Sequence, residues 1–200
     1  MSSGTIDRRV RRTRALLLSA LLSLVQEKGY DRITIQDILD RADVGRSTFY
    51  AHYRDKDELL GTGLRELGLM LEKAQAADLP PTAKAHERII AFSLAMFEHA
   101  DEYRLVFQAT RSSQAGSIIR NQLYRTVTKL IERELKKQLR GASTAPGIPA
   151  DLLVHYVASV FICVLNWSLE QPRGRVSPRQ VNESFRTLVL PAIARQLGKG

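Results

Sequence analysis

Residues 33–60, ITIQDILDRADVGRSTFYAHYRDKDELL, constrain this chain more than any other stretch. Apolar spacing predicts a short helix opening at Thr34, with Ile35, Ile38 and Leu39 on one side. A tight turn follows at Asp43-Val44-Gly45, and then a second short helix from about Arg46 to Tyr53. Helices this short are unstable alone, because nucleation is unfavourable and few bonds follow it. They must pack. Ile35, Ile38, Leu39, Val44, Phe49 and Tyr53 supply the apolar side, and Phe49 and Tyr53 share a face at i, i+4. Thr34 is a good N-cap, its hydroxyl placed to accept a backbone N–H.

The other side of the second helix shows Arg46, Ser47, Tyr50 and Ala51, flanked by Thr48 and His52. From Arg46 to Arg54 there is no carboxylate. Such a face can approach phosphates without repulsion. Arginine can bind guanine edges bidentately, and small or aromatic groups can touch a thymine methyl. The pattern predicts a helix-turn-helix whose second helix reads the major groove.

At these residues the chain resembles the TetR/AcrR family of bacterial transcriptional regulators. The helix from Thr34 to Leu39, the turn at Val44-Gly45, the run Ser47-Thr48-Phe49-Tyr50-Ala51-His52-Tyr53, and Lys56 with Asp57-Glu58-Leu59-Leu60 carry the likeness. The resemblance implies that Gln36, Arg46, Ser47, Thr48 and Tyr50 face bases or nearby backbone. It implies phosphate contacts for Thr34, Tyr50, His52 and Lys56. Leu39 stands where Ala is usual, and Asp43-Val44-Gly45 replaces the commoner Gly-Val-Ser. Asp43 is expected to point away from DNA or to cap the second helix, so the capping residue stays open. The implied fold is all-α: an N-terminal three-helix helix-turn-helix domain with a basic arm at residues 1–57, and a helical effector-binding and dimerisation domain at 58–200. The implied activity is a ligand-responsive repressor that binds a pseudo-palindromic double-stranded DNA operator as a homodimer. A small-molecule effector would release it. A non-specific nucleic-acid-binding protein without an effector is the alternative.

The remaining periodicity is helical, and no strand-like alternation of useful length appears. Helices are predicted over 7–28, from 56 to about 77, then 82–100, 102–111, 114–140, 149–170 and 177–197. Breaks are expected at Leu79-Pro80-Pro81, at 141–149 (GASTAPGIP) and at 171–178 (QPRGRVSP). Apolar residues nearly encircle 149–170 and form a wide stripe on 177–197. A surface helix needs one stripe only, so the surplus suggests burial against a twin subunit as well. Tyr156, Val160, Val164, Val181, Phe185, Leu188, Val189 and Ala192 are the expected dimer interface. An effector pocket would draw on Phe92, Met96, His99, Tyr103, Phe107, Tyr124, Phe161, Asn166 and Trp167, an apolar set with a few polar anchors.

Other function classes find little support. Residues 61–66 (GTGLRE) put Glu where a dinucleotide fingerprint needs its third Gly, and no strand precedes them. No G-x-S-x-G, H-E-x-x-H or P-loop appears, so neither an enzyme nor a cofactor is expected. His52 has no partner at metal-ligand spacing, and no metal is expected. Cys163 is the single cysteine, which excludes an intramolecular disulfide and fits a reducing, cytoplasmic setting. The basic run before residues 15–25 lacks the cleavage region of a signal peptide. Residues 152–169 carry no formal charge, but His155, Ser159, Asn166 and Ser168 favour a buried helix over a membrane span.

The formal net charge is +9. Residues 1–14 hold five Arg and one Asp, whereas 15–57 are net −1. Arg8, Arg9, Arg11 and Arg12 are therefore the expected DNA-contacting arm. Residues 111–140 hold eight basic and two acidic groups, a second patch that the motif does not explain.

Overall fold

The computed structural model describes residues 3–77, 83–139 and 148–198, without the side chains of 3–7 and 85. The expected breaks at 79–81 and through most of 141–149 lie outside the described residues, as does Arg140 of the basic patch. Among the described residues every regular element is helical. The chain divides into two compact units. The first runs up to Leu67 and takes in Leu105–Arg120, and the second holds Gly68–Arg104 and the chain from Asn121. The sequence division at 57/58 did not anticipate that 105–120 would join the N-terminal unit.

The first unit is built on helix α1, Ser3–Lys28. It starts four residues before the expected 7, and the arginine run lies within its early turns, as the predicted helix 7–28 implied. A 3₁₀ turn at Tyr30–Arg32 leads into α2, Ile35–Ala42, then α3, Arg46–Tyr50. Helix α4, Lys56–Ala76, begins in this unit, and α6, Arg104–Thr110, and the start of α7, Gln114–Leu139, also contribute. Between α4 and α6 comes α5, Ser93–Glu102. The core takes Leu17, Leu21 and Val25 from α1, Ile38 and Leu39 from α2, Phe49 from α3, and Leu59 from α4, each at most 5% exposed. Full burial of such a side chain is worth about 1.5–3 kcal/mol, which is how two helices of eight and five residues persist. Leu39 fills space where the smaller family residue was expected. At Gly63 the backbone of α4 lies close to α1: a Cβ there would stand 2.9 Å from Leu18 Cδ1, and that side-chain end would have to turn aside.

The second unit centres on α8, Ala150–Glu170, and α9, Pro178–Gln196. Phe92, Phe97, Phe161 and Phe185 form one aromatic cluster with centroids 5.1–6.0 Å apart. Buried polar groups are paired around it. Gln75 accepts from the Phe92 N–H at 2.9 Å and donates to the Arg88 carbonyl at 2.5 Å. The Ser93 hydroxyl donates to Asn182 at 2.6 Å. Arg104, 6% exposed, pairs with Asp101 at 2.8 Å and donates to the Ser168 and Gln171 carbonyls at 2.9 and 3.2 Å, bonding the C-terminal end of α8. The α9 start is legible in sequence: Ser177 and Gln180 form a capping box with Pro178 at N1.

Helix α8, with formal charges only at Asp151 and Glu170 near its ends, is long and apolar enough to cross a membrane by length and composition. Here Leu153, Val154, Val157, Ala158, Phe161, Val164 and Leu165 are buried in the core of the second unit.

Candidate nucleic-acid interface

Helix α2 is closed at both ends by its own sequence. The Thr34 hydroxyl accepts from the Asp37 N–H at 3.2 Å, and the Asp37 carboxylate accepts from the Thr34 N–H at 2.7 Å. The Lys28 ammonium reaches the same carboxylate at 2.6 Å. Lys28 and Thr34 together hold the Asp37 carboxyl well below the usual carboxylate range. At the other end Asp43 adopts the left-handed conformation with φ 52°, and its N–H bonds the Leu39 carbonyl. Asp43 thus terminates α2 and does not cap α3. Gly45 takes the N-cap position of α3 without any side-chain bond. Asn and Asp tolerate this backbone better than most residues, because their short side chains bond locally.

Helix α3 is shorter than expected. It ends at Tyr50, and the His52 and Tyr53 N–H groups both turn back to the Phe49 carbonyl at 2.9 Å. Phe49 and Tyr53 point inward, at 0% and 4% exposed. Arg46, Ser47, Thr48 and Tyr50 are exposed, and His52 is half-buried. The Tyr50 ring stands edge-on to Phe49 with centroids 5.4 Å apart, so the buried ring props the exposed one. Arg46 Nη2 donates to Gln36 Oε1 at 2.9 Å, and Gln36 Nε2 donates to Asp40 at 2.7 Å. This chain ties α2 to α3 and fixes which way the Gln36 amide points. Asp40 is a contributor that sequence reasoning missed, although its i+4 spacing from Gln36 was readable.

Two expected residues are occupied otherwise. The Thr34 hydroxyl is engaged with Asp37 at 2.6 Å. The Lys56 ammonium donates to the carbonyls of Tyr30 and Ile33 at 3.0 and 2.9 Å and sits 4.6 Å from the Tyr30 ring centroid. It therefore pins the 3₁₀ turn to the start of α4. Tyr30 also donates its hydroxyl to Asp57, and burial together with that carboxylate pushes the phenol far above its usual range. Tyr30 was not singled out from sequence, and Asp57 entered only as part of the family motif, with no partner assigned. Arg8, Arg9, Arg11 and Arg12 are all exposed on α1.

Among the expected effector residues, Phe92, Met96 and Phe161 have no exposed surface. They are core. His99 lies beside Tyr103 with ring centroids 4.6 Å apart, and burial pushes its imidazole below the usual value. Tyr124 hydrogen-bonds His155 Nδ1 at 3.0 Å. Phe107 belongs to the first unit, the other eight to the second. Asn166 and Trp167 face outward, and Trp167 is 43% exposed. The expectation that they line an interior pocket is corrected: α8 turns Phe161, Leu165 and Ser168 inward, which leaves 166 and 167 on the opposite side.

The expected dimer residues also divide. Val164, Val181, Phe185 and Val189 are buried within a single chain, at 0–7% exposed. Phe185 lies in the aromatic cluster, so placing it on an intersubunit surface is corrected. Val160 and Ala192 are half-buried. Tyr156 and Leu188 are exposed, and the Tyr156 hydroxyl donates to the Leu188 carbonyl at 3.1 Å.

A capped helix, a left-handed turn and a second helix with an exposed, carboxylate-free face make up a helix-turn-helix, the class of element with which DNA-binding proteins enter the major groove. Residues 17–61 match the family described as bacterial regulatory proteins, tetR family. The chain is 30% identical over 180 residues to the HTH-type transcriptional regulator YxbF of Bacillus subtilis (strain 168). That match covers 88% of this chain and 44% of the relative, so the chain spans less than half of its length. It is 23% identical to the HTH-type transcriptional repressor KstR2 of Mycolicibacterium smegmatis, covering 91% of each. A TetR transcriptional regulator from Streptococcus agalactiae 2603V superposes with a TM-score of 0.61 at 25% identity, covering 94% of this chain and 99% of that one. Residues 17–61 therefore carry a domain of the tetR family of bacterial regulatory proteins, and the rest of the chain is similar to relatives of that kind.

Proposed function

We propose that this protein is a cytoplasmic, ligand-responsive transcriptional repressor, not an enzyme, and that it binds a pseudo-palindromic operator as a homodimer. The carrying observation is the outward face of α3. Arg46, Ser47, Thr48 and Tyr50 are exposed there, with Arg46 held by Gln36. That is a reading surface backed by a rigid core, and the family domain at residues 17–61 supports the same reading. KstR2 is named a repressor, which supports the sign of regulation.

Homodimerisation supplies the second reading helix. Two such helices about 34–36 Å apart would meet successive turns of the major groove. The exposed residues Tyr156 and Leu188, with Leu152 and Trp167 nearby on the same helices, support α8 and α9 as the pairing surface. An effector would act by binding the non-DNA-binding state more tightly, and it can shift the equilibrium only by that difference. Arg8, Arg9, Arg11 and Arg12 would contact phosphates from the first turns of α1. For Lys56 to reach a phosphate, its carbonyl bonds would have to loosen.

Selection of bound genomic fragments tests the reading and yields the operator. A palindromic consensus bound at a two-chain stoichiometry is the expected result. Equal binding to any duplex would establish the non-specific alternative instead.

A further inference from the structure

The helix-turn-helix carries a carboxylate that phosphate binding does not explain. Asp40 is exposed on α2, in a unit whose proposed partner is a polyanion. A carboxylate there opposes the approach of phosphates. It is instead the end of a chain of hydrogen bonds. Gln36 Nε2 donates to Asp40 Oδ1 at 2.7 Å, and Arg46 Nη2 donates to Gln36 Oε1 at 2.9 Å.

This chain runs in one direction only. A guanidinium donates and cannot accept, an ionised carboxylate accepts and cannot donate, and a primary amide does both. The Gln36 amide therefore satisfies its two neighbours only with its oxygen on Arg46 and its nitrogen on Asp40. Gln36 and Asp40 are i, i+4 on α2, a spacing at which such side chains bond across one helical turn. Removal of the Asp40 carboxylate lets the amide flip, and a flipped amide sets donor against donor at Arg46. Asp40 thus acts on Arg46 through Gln36.

Arg46 opens α3, and the first residues of a reading helix are those that reach base edges. One Nη2 hydrogen is taken by Gln36, and the rest of the guanidinium fork is left for DNA. Guanine presents N7 and O6 side by side as acceptors in the major groove, the pair that such a fork binds. A guanidinium held before DNA arrives has less freedom to lose on binding.

We propose that Asp40 is a positioning residue for base reading: through the Gln36 amide it aims the Arg46 guanidinium at a guanine in each operator half-site. This rests on the operator reading above and adds to it the base and the relay. Loss of the Asp40 carboxylate then has two effects of opposite sense. Discrimination at the guanine relaxes. Affinity for duplex of random sequence does not fall, because a negative charge has left the DNA-facing surface.

The test measures the affinity of the full chain for the selected operator, for its single-base-pair variants made in both half-sites, and for a random duplex, all at one salt concentration. For the wild type, replacing the guanine read by Arg46 should weaken binding about tenfold or more. Arg46→Ala should erase that penalty at this position alone. Asp40→Ala should reduce it to about threefold or less, since an unsupported arginine must first be ordered. The other positions should keep their wild-type penalties, and random-duplex affinity should be equal or higher. Gln36→Met keeps the length without the amide and should give the same relaxation at the Arg46 position. Adding Asp40→Ala to it should change nothing further there, as expected of residues that act as one chain. A full penalty at the guanine in Asp40→Ala overturns the proposal. So does a loss spread evenly over all positions, which would make Asp40 a support of the fold only. Absence of any guanine whose penalty depends on Arg46 overturns it too and leaves the operator reading standing. Equal binding of every duplex by the wild type overturns the operator reading itself, and the relay with it.

Discussion

Helices α3 and α8 each bury one side and leave the other uncovered, but with opposite chemistry. The outer side of α3 shows Arg46, Ser47, Thr48 and Tyr50. The outer side of α8 shows Leu152, Tyr156, Cys163 and Trp167. Their inner sides are alike, Phe49 in one and Phe161 in the other, both at 0% exposed. Inner faces therefore explain how each helix is held, and outer faces separate what each can meet. A hydroxyl-rich cationic face suits a phosphate-lined groove. A half-apolar face is the kind that a second protein surface covers.

The sharpest way to break this contrast is Tyr50→Ala. It should remove the specific increment of operator affinity, about a thousandfold or more for proteins of this kind, while sedimentation still reports a dimer. Wild-type affinity on the selected operator would remove α3 from the reading role. Next come paired substitutions on α9. Phe185→Ala opens the aromatic cluster and should lower unfolding free energy by about 3–5 kcal/mol in denaturant titration. Leu188→Glu, three residues on and 54% exposed, should leave the fold intact and shift sedimentation from dimer to monomer. The reverse outcome would mean that inner and outer faces have been exchanged.

A smaller effect is expected from replacing Arg8, Arg9, Arg11 and Arg12 with Ala. The slope of log affinity against log salt should fall by about 0.9 for each phosphate no longer neutralised. An unchanged slope would leave the DNA-facing chemistry to α2 and α3 alone. The smallest effect tests the support of the reading face. Thr34→Ala should cost about 1 kcal/mol of stability through removal of the cap, read by thermal or chemical unfolding.

Much of the reading unit was legible in the sequence because local chemistry decided it. Thr34 and Asp37 stand at capping-box spacing, and the apolar positions of α2 repeat at helical period. The family motif then placed α3. Asp43 was half legible: a tight turn was evident, but only the backbone shows that it ends α2 instead of starting α3. For Lys56 the resemblance implied a phosphate contact, and sequence does not show that Tyr30 and Ile33 would present their carbonyls to it. Asp40 was passed over because an exposed carboxylate near DNA reads as a liability until its amide partner is seen. In the second unit the period failed for a different reason. A helix apolar nearly all round carries no direction, so Val164 and Phe161 could not be told from Tyr156 and Trp167 before packing chose a side.

The single cysteine has a practical consequence. Cys163 is exposed on α8, on the side that carries Tyr156 and Trp167. Because the chain has no other thiol, the natural sequence accepts one spectroscopic label without any background mutation. If two copies meet through this side of α8, a nitroxide on each would sit close enough for strong dipolar coupling. If they meet elsewhere, the pair would be far apart or silent. The protein thus carries its own ruler for the proposed pairing surface.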